Sequence, residues 1–292
     1  AVTQCQVGPL KNFTMTERDR YELKIAGLLH DCGKVTTPVH VVDKATKLQT
    51  IFDRIEIIDT RAEIIRRDIE ERARAEGRSP SAALAELEDD VEFLARCNIG
   101  GEMMRDDDVS RVQSIAKKYR WKDRKGNVLD FLTADELNNL TVRAGTLNAE
   151  ERAIINRHIA LTIQMLEKLP WPGHLKNVPE YAGGHHERMD GKGYPRGLTR
   201  DQMSVQARCV GIADIFEALT ADDRPYKKGK TLSESLEILG RMKLNGHIDP
   251  DLFDIFMWEK VYETYARRFL HPEQIDEVDL AKIPGYQPRP AQ

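Results

Sequence analysis

Leu28-Leu29-His30-Asp31-Cys32-Gly33-Lys34 closes an amphipathic run that begins at Thr16. Thr16 with Glu17-Arg18-Asp19 has the pattern of a helix start, and Tyr21, Ile25, Leu28 and Leu29 recur at helical spacing until Gly33. The spacing therefore predicts a helix whose last turn carries His30 and Asp31. A His-Asp dipeptide alone is weak evidence, since it also arises by chance or as a helix cap. Its meaning depends on which other ligand-type residues the fold brings to it.

Two further helices carry such residues. Asn148-Ala149-Glu150-Glu151 reads as a capping box, followed by Ile154, Ile155, His158, Thr162, Met165 and Leu169 on one face, with Pro170-Trp171-Pro172 as the stop. His158 is expected on that buried stripe. From about Ser204 to Leu219, Ala207, Val210, Asp214 and Ala218 share a face. Asp214 thus falls where an apolar residue is expected, and a buried carboxylate needs a cation or a partner such as Arg208.

Between these regions Ile51, Ile55, Ile58, Ala62, Ile65 and Ile69 step alternately by four and three, the seam of a coiled coil. Gly77-Arg78-Ser79-Pro80 breaks the pattern, and Leu84, Leu87, Val91 and Leu94 resume it, which predicts a helical hairpin arm over residues 50–97. The arm either packs on itself or serves dimerisation or signal transmission. No alternating stretch is long enough to argue for a sheet, so the chain reads as all-α, with at most short strands in its loops.

The 292 residues, 32% charged and 40% hydrophobic, can bury a substantial core as one large or two modest domains. A net charge of −4 argues against a nucleic-acid polymer as partner and leaves room for a local basic pocket that takes a small anion. Cys5, Cys32, Cys97 and Cys209 are widely spaced with no Cys-x-x-Cys pair, which supports neither a disulfide framework nor a zinc ribbon and fits a reducing cytoplasm. No run approaches the roughly 20 apolar residues that cross a bilayer, so no membrane contact by this chain is expected. The first residue is Ala1 rather than Met, which leads us to expect a fragment or a processed product, whose parent could carry an anchor.

The second chemical cluster is Gly184-His185-His186-Glu187-Arg188-Met189-Asp190-Gly191-Lys192-Gly193-Tyr194-Pro195, adjacent histidines running into a glycine-rich turn. Mixed imidazole and carboxylate ligands suit a two-metal hydrolase better than a thiolate zinc site, and by ligand type allow iron, manganese, nickel or zinc. The chain at this point resembles the HD-GYP family, a branch of the HD superfamily of metal-dependent phosphohydrolases. The HDxGK hallmark is matched by His30 to Lys34 and the HHExxDGxGYP hallmark by His185 to Pro195. The resemblance continues through Leu147 to Met165, Ile212 to Thr220 and Arg224-Pro225-Tyr226-Lys227.

The resemblance implies an HD-domain helical bundle interrupted by an inserted coiled-coil hairpin, because His158 lies far further from the doublet than is usual in the family. The expected division is residues 1–49 and 143–292 for the catalytic domain and 50–142 for the arm. It also implies hydrolysis of cyclic di-GMP, a bacterial second messenger, to linear pGpG and on to GMP at a site with two or three metals, iron or manganese. His30, Asp31, His158, His185, His186 and Asp214 would be ligands, with Asp31 bridging. Lys34, Arg224 and Lys227 would hold phosphate oxygens, Lys34 and Asp31 would serve catalysis, and Tyr194 would shape the loop over the substrate.

One departure concerns the family's upstream His, usually preceded by a Glu, on a helix before the doublet. Residues 1–29 contain no His, so the expectation is a metal shell with one position unsupplied. Three rivals stand beside the main reading. Hydrolysis of cyclic GMP-AMP differs by one base, which the motifs do not read. A non-catalytic sensor or interaction module would use the Gly193-Tyr194-Pro195 loop, and the loop or the arm could also hold a second copy or a signalling protein. A general nucleotide phosphohydrolase would have no need of that loop. His40, His174, His247 and His271 have no companion motif and read as surface or packing residues.

Overall fold

The first long helix, α1 (Glu17–Leu29), starts where its capping box predicts: the Thr16 hydroxyl accepts from the Asp19 N–H, and the Asp19 carboxylate accepts from the Thr16 N–H. Its end comes earlier than the periodicity suggests. His30 is the C-cap, Asp31 lies in the following turn, and residues Cys32–Thr36 tighten into a 3-10 helix. The computed structural model describes residues 1–101, 103–222 and 229–290. Arg224 and Lys227 therefore lie outside the described residues.

Beyond α1 the chain runs through α2 (Val39–Val42), α3 (Ile55–Ala75), α4 (Ser81–Asn98), α5 (Asp106–Lys118), β1 (Arg120–Lys122), β2 (Val128–Asp130) and α6 (Ala134–Leu140). It continues as α7 (Ala149–Glu167), α8 (Val178–Gly183), α9 (Val205–Thr220), α10 (Leu232–Leu244), α11 (Pro250–Trp258) and α12 (Val261–Phe269). The molecule is mainly helical, and β1 pairs with β2 in an antiparallel ladder in which Trp121 faces Leu129. The chain divides into two compact units, residues 37–156 and residues 1–36 with 157–292.

In the unit of residues 37–156, α3 packs on α4 as the heptad seam predicts, burying Ile58, Ala62 and Ile65 with Leu87 and Leu94. The seam does not extend to Ile51, which is 97% exposed and precedes α3. The backbone bridge between Gln49 and Asp53 places it at the tip of a tight turn. The hairpin is also not self-sufficient. Val112 and Ile115 of α5, Phe131 after β2 and Leu140 of α6 complete the same core. Two buried polar networks stiffen it: Asp90 accepts from Arg111, Lys118 and Tyr119, and the Lys44 ammonium donates to Glu151 and Asn139.

In the other unit α1 packs on α8, α8 on α9, and α9 on α10 and α11, with α12 against α11. The core between α9 and the C-terminal helices holds Phe216, Leu236, Leu239, Phe253 and Phe256. α7 contributes His158, Ile159, Thr162, Ile163 and Leu166 as its buried residues. Its buried stripe is rotated from the predicted one: Ile154 and Met165 are each 38% exposed and Leu169 is 50% exposed. Apolar residues flank both sides of that helix, so periodicity alone does not choose the face. On α9, Ala207 and Val210 are buried as expected and Ala218 is exposed.

Candidate metal centre

Gly33 explains how the doublet meets the second helix. A Cβ on Gly33 would stand 2.1 Å from the His158 carbonyl and 2.7 Å from the Thr162 N, so only glycine lets the turn after α1 lie against α7. The Gly33 N–H donates to the Thr162 hydroxyl at 2.9 Å and locks that crossing. A milder close approach occurs at Gly211 in α9, where a Cβ would meet the His185 carbonyl at 3.1 Å and the neighbour would have to give by a small amount. These two close approaches join the turn after α1 to α7 and the His185 segment to α9.

Six side chains converge there, forming two overlapping sets. One is Asp31, His158, His185 and His186, the other His30, Asp31 and Asp214, and within each set the donor atoms all lie within 4.8 Å of one another. Asp31 belongs to both. Its Oδ1 is 3.2 Å from His158 Nε2 and 3.8 Å from His185 Nε2, and its Oδ2 is 3.3 Å from His30 Nε2. His30 Nε2 is also 3.4 Å from Asp214 Oδ1. Asp214 does not pair with Arg208, whose guanidinium goes to Asp249 instead.

The imidazoles are oriented for ligation. His30 Nδ1 donates to the Gly27 carbonyl at 2.7 Å and His185 Nδ1 to the Ala182 carbonyl at 2.7 Å, which leaves Nε2 of each ring facing the cluster. His186 Nε2 stands 3.2 Å from His158 Nε2. Two imidazole nitrogens each about 2.0–2.1 Å from a shared cation would stand about 3 Å apart, so this spacing is that of ligands to one ion. Asp31 Oδ1 and His185 Nε2 are buried and have no hydrogen-bond partner among the described residues. Such orphaned acceptors are costly unless a cation satisfies them, so the donor set fits divalent metal.

Electrostatics point the same way. The Asp214 and Asp31 carboxylates draw the His30 imidazole up to a pKa of about 10. Burial pushes the Asp31 carboxyl up, but the neighbouring His158, His30 and Lys34 outweigh it and hold the group far below the usual carboxylate range. Burial first, and then its neighbours His185 and His158, drives His186 down to about 3, and burial also lowers His185. The raised His30 imidazole thus places positive charge between carboxylates that stay ionised, while His185 and His186 are kept neutral, the form in which an imidazole ligates a cation.

A cleft of about 1000 Å³ opens from this cluster, lined among others by His30, Asp31, Lys34, Asp214, Cys209 and Tyr265. It lies at the upper end of small-molecule pocket sizes. The Lys34 ammonium lies 2.5 Å from Asp31 Oδ2 with its side chain 42% exposed, so it is held at the cluster's rim. Tyr194 stacks on His186 with ring centroids 4.9 Å apart and planes inclined by 14°. The expected phosphate contacts Arg224 and Lys227 cannot be located, being outside the described residues.

Sequence reasoning left two carboxylates without a role. Glu187, 3% exposed, accepts from the Arg196 N–H at 2.7 Å and the Leu198 N–H at 2.9 Å, holding the loop after the histidine pair. Asp249, 1% exposed, caps α11 through the Asp251 and Leu252 N–H groups and accepts from Arg200 and Arg208. Glu187 sits inside the motif, yet only the fold of its own loop reveals its task.

Comparison with known proteins agrees with this architecture. Two family profiles, each described as HD domain, match residues 7–118 and residues 132–252. The chain is 34% identical to a 3'3'-cGAMP-specific phosphodiesterase of Vibrio cholerae over 50% of its own length and 31% of the relative. It is 36% identical to a cyclic di-GMP phosphodiesterase of Pseudomonas aeruginosa over 39% and 27% of the respective chains. A cyclic di-GMP phosphodiesterase of Thermotoga maritima matches at 32% identity over 44% and 34%. The chain thus spans about a third or less of the length of these curated relatives. The two profile matches together span most of the chain, which thus belongs to the HD-domain proteins and carries both HD-GYP hallmark segments at one cluster of imidazoles and carboxylates.

Proposed function

We propose that this chain hydrolyses a phosphodiester bond of a cyclic dinucleotide, cyclic di-GMP to pGpG and on to GMP, with two or three divalent cations, iron or manganese. The observation that carries the proposal is Asp31: one carboxylate common to two sets of ligand atoms, at the mouth of a nucleotide-sized cleft. His30, Asp31 and Asp214 would hold one cation and Asp31, His158, His185 and His186 another. Such cations, when bound, supply Lewis-acid stabilisation of charge on a phosphoryl group and acidify water.

The chain's own residues supply the rest. Asp31 orients both ligand sets. Lys34, tethered to Asp31 in the free protein, has the reach to turn its ammonium to a phosphate oxygen at the cleft and to stabilise the charge that gathers in the transition state. Arg224 and Lys227 are proposed to hold the second phosphate, an arginine fork matching it bidentately. Tyr194 is proposed to shape the loop over the substrate. Residues 50–142 are proposed to be an insertion in the catalytic domain, and this insertion or the loop at Tyr194 is the proposed meeting place for a second copy or a signalling partner.

Similarity to 3'3'-cGAMP-specific relatives at 34% and 37% identity gives a second reading, cyclic GMP-AMP as substrate. Parallel turnover of both cyclic dinucleotides by manganese- or iron-loaded protein separates the two. Asp31→Asn is expected to lower turnover of either by at least about 100-fold and to reduce bound metal, because the bridging charge is gone. Full turnover by that variant would refute the proposal.

A further inference from the structure

His30 and His185 are each held by an Nδ1–H donated to a backbone carbonyl three residues earlier. His186 has no such bond among the described residues, although its Nε2 stands 3.2 Å from His158 Nε2 within the same ligand set. Its ring is flanked by those of His185 and His158, both of the same ligand set, and the ring stacked parallel to it, outside that set, is Tyr194 at 4.9 Å. We propose that Glu187 and Tyr194 are positioning residues that orient His186 toward its cation, so that the loop of residues 187–198 acts on the metal centre from behind. The proposal rests on the metal-centre reading above.

The loop is built for this task. It returns on itself so that the Tyr194 N–H donates to the His186 carbonyl at 3.2 Å. Gly193 permits the return, because a Cβ there would lie 2.3 Å from Arg188 N and 2.5 Å from Glu187 Cα. The buried Glu187 carboxylate then buckles the far limb with one oxygen on the Arg196 N–H and the other on the Leu198 N–H. Hydrogen bonds to an ionised acceptor are among the stronger ones, and both oxygens of this one are used. At the loop's outer turn, Arg188 pairs with Asp190, whose N–H donates to the Gly246 carbonyl and anchors the loop to the segment after α10.

The chain of restraint runs from Glu187 through the backbone of residues 196–198 to Tyr194, and from its ring to His186. Stacking fixes the plane of an imidazole while leaving both nitrogens available, which a hydrogen bond to Nδ1 does not. Tyr194 spends its ring face on His186, so its hydroxyl is not the part this role uses.

Mn(II) binding to the full chain, counted by electron paramagnetic resonance with calorimetric titration, tests the idea without reference to turnover. Wild-type protein is expected to bind two equivalents. Tyr194→Leu, which keeps bulk and loses the ring, should retain one and bind the other about 10–100-fold more weakly, the usual cost of losing a group that orients a ligand. Tyr194→Phe should match wild type. Glu187→Gln should weaken the same equivalent, since an amide offers one oxygen and confronts the second backbone N–H with a donor. Unchanged binding in Tyr194→Leu, equal weakening of both equivalents, or loss in Tyr194→Phe as great as in Tyr194→Leu would overturn the role of the loop. Wild-type protein that binds no Mn(II) would overturn the metal-centre reading together with it.

Discussion

A ring nitrogen already committed to a backbone carbonyl leaves its partner nitrogen with one thing to do, and His30 and His185 are both in that state. The six ligand candidates were legible through the resemblance of their motifs to a known family, since a His-Asp pair or a lone buried His says little by itself. Their companions were legible only in part. Gly33 was recognisable as part of a motif, while its physical reason is the 2.1 Å a methyl group would leave to the His158 carbonyl. Gly33→Ala is expected to cost at least about 1–3 kcal/mol in denaturant unfolding, since the backbone must move. Gly27→Ala, with open space around its Cβ, is expected to be neutral or to stabilise α1 by up to about 1 kcal/mol. Equal effects at the two positions would refute the crossing geometry. Asp249 was invisible to sequence reasoning because its partners Arg200 and Arg208 are about 40 to 50 residues away. Burial raises its carboxyl, but hydrogen bonds from Arg200 and α11 outweigh that and lower it below the usual value. The folded protein thus keeps the charge to lower pH than the unfolded chain, so this stabilisation is complete above about pH 4 and lost below it. Asp249→Asn should cost about 3 kcal/mol at pH 7 and show a shallower loss of stability on acidification than wild type. Parallel pH profiles would contradict that assignment.

At the scale of elements, starts were easier to read than faces. Thr16 and Asp19, Asn148 and Glu151, and Ser204 set the beginnings of α1, α7 and α9 through local hydrogen bonds that a short stretch of sequence encodes. The buried side of α7 depends on what packs against it, and neighbouring apolar residues on both flanks made Ile154 and Met165 look like core when each is 38% exposed. The heptad seam located the hairpin of α3 and α4 correctly, yet it could not announce that α5, α6 and Phe131 share the same core. Leu94, fully buried there, tests that integration. Leu94→Ala should destabilise by about 2–5 kcal/mol, far more than a two-helix arm packed only on itself would register. A cost below about 1 kcal/mol would mean that the hairpin is a loosely packed appendage.

For the whole molecule, the six ligand candidates all fall in one compact unit, whose two sequence segments, residues 1–36 and 157–292, are separated by residues 37–156. Long-range convergence of His30 with His158, 128 residues later, is the part that composition and periodicity could not supply and that motif resemblance could only imply. No helix among the described residues is long and apolar enough to cross a membrane. The central claim is that Asp31 is shared by two cations. Crystals grown with Mn(II) and measured on both sides of the manganese absorption edge test it most directly. The expected result is two anomalous peaks at coordination distance from the Asp31 carboxylate, one beside His30 and Asp214 and the other among His158, His185 and His186. Peaks elsewhere, or none at Asp31, would contradict the account.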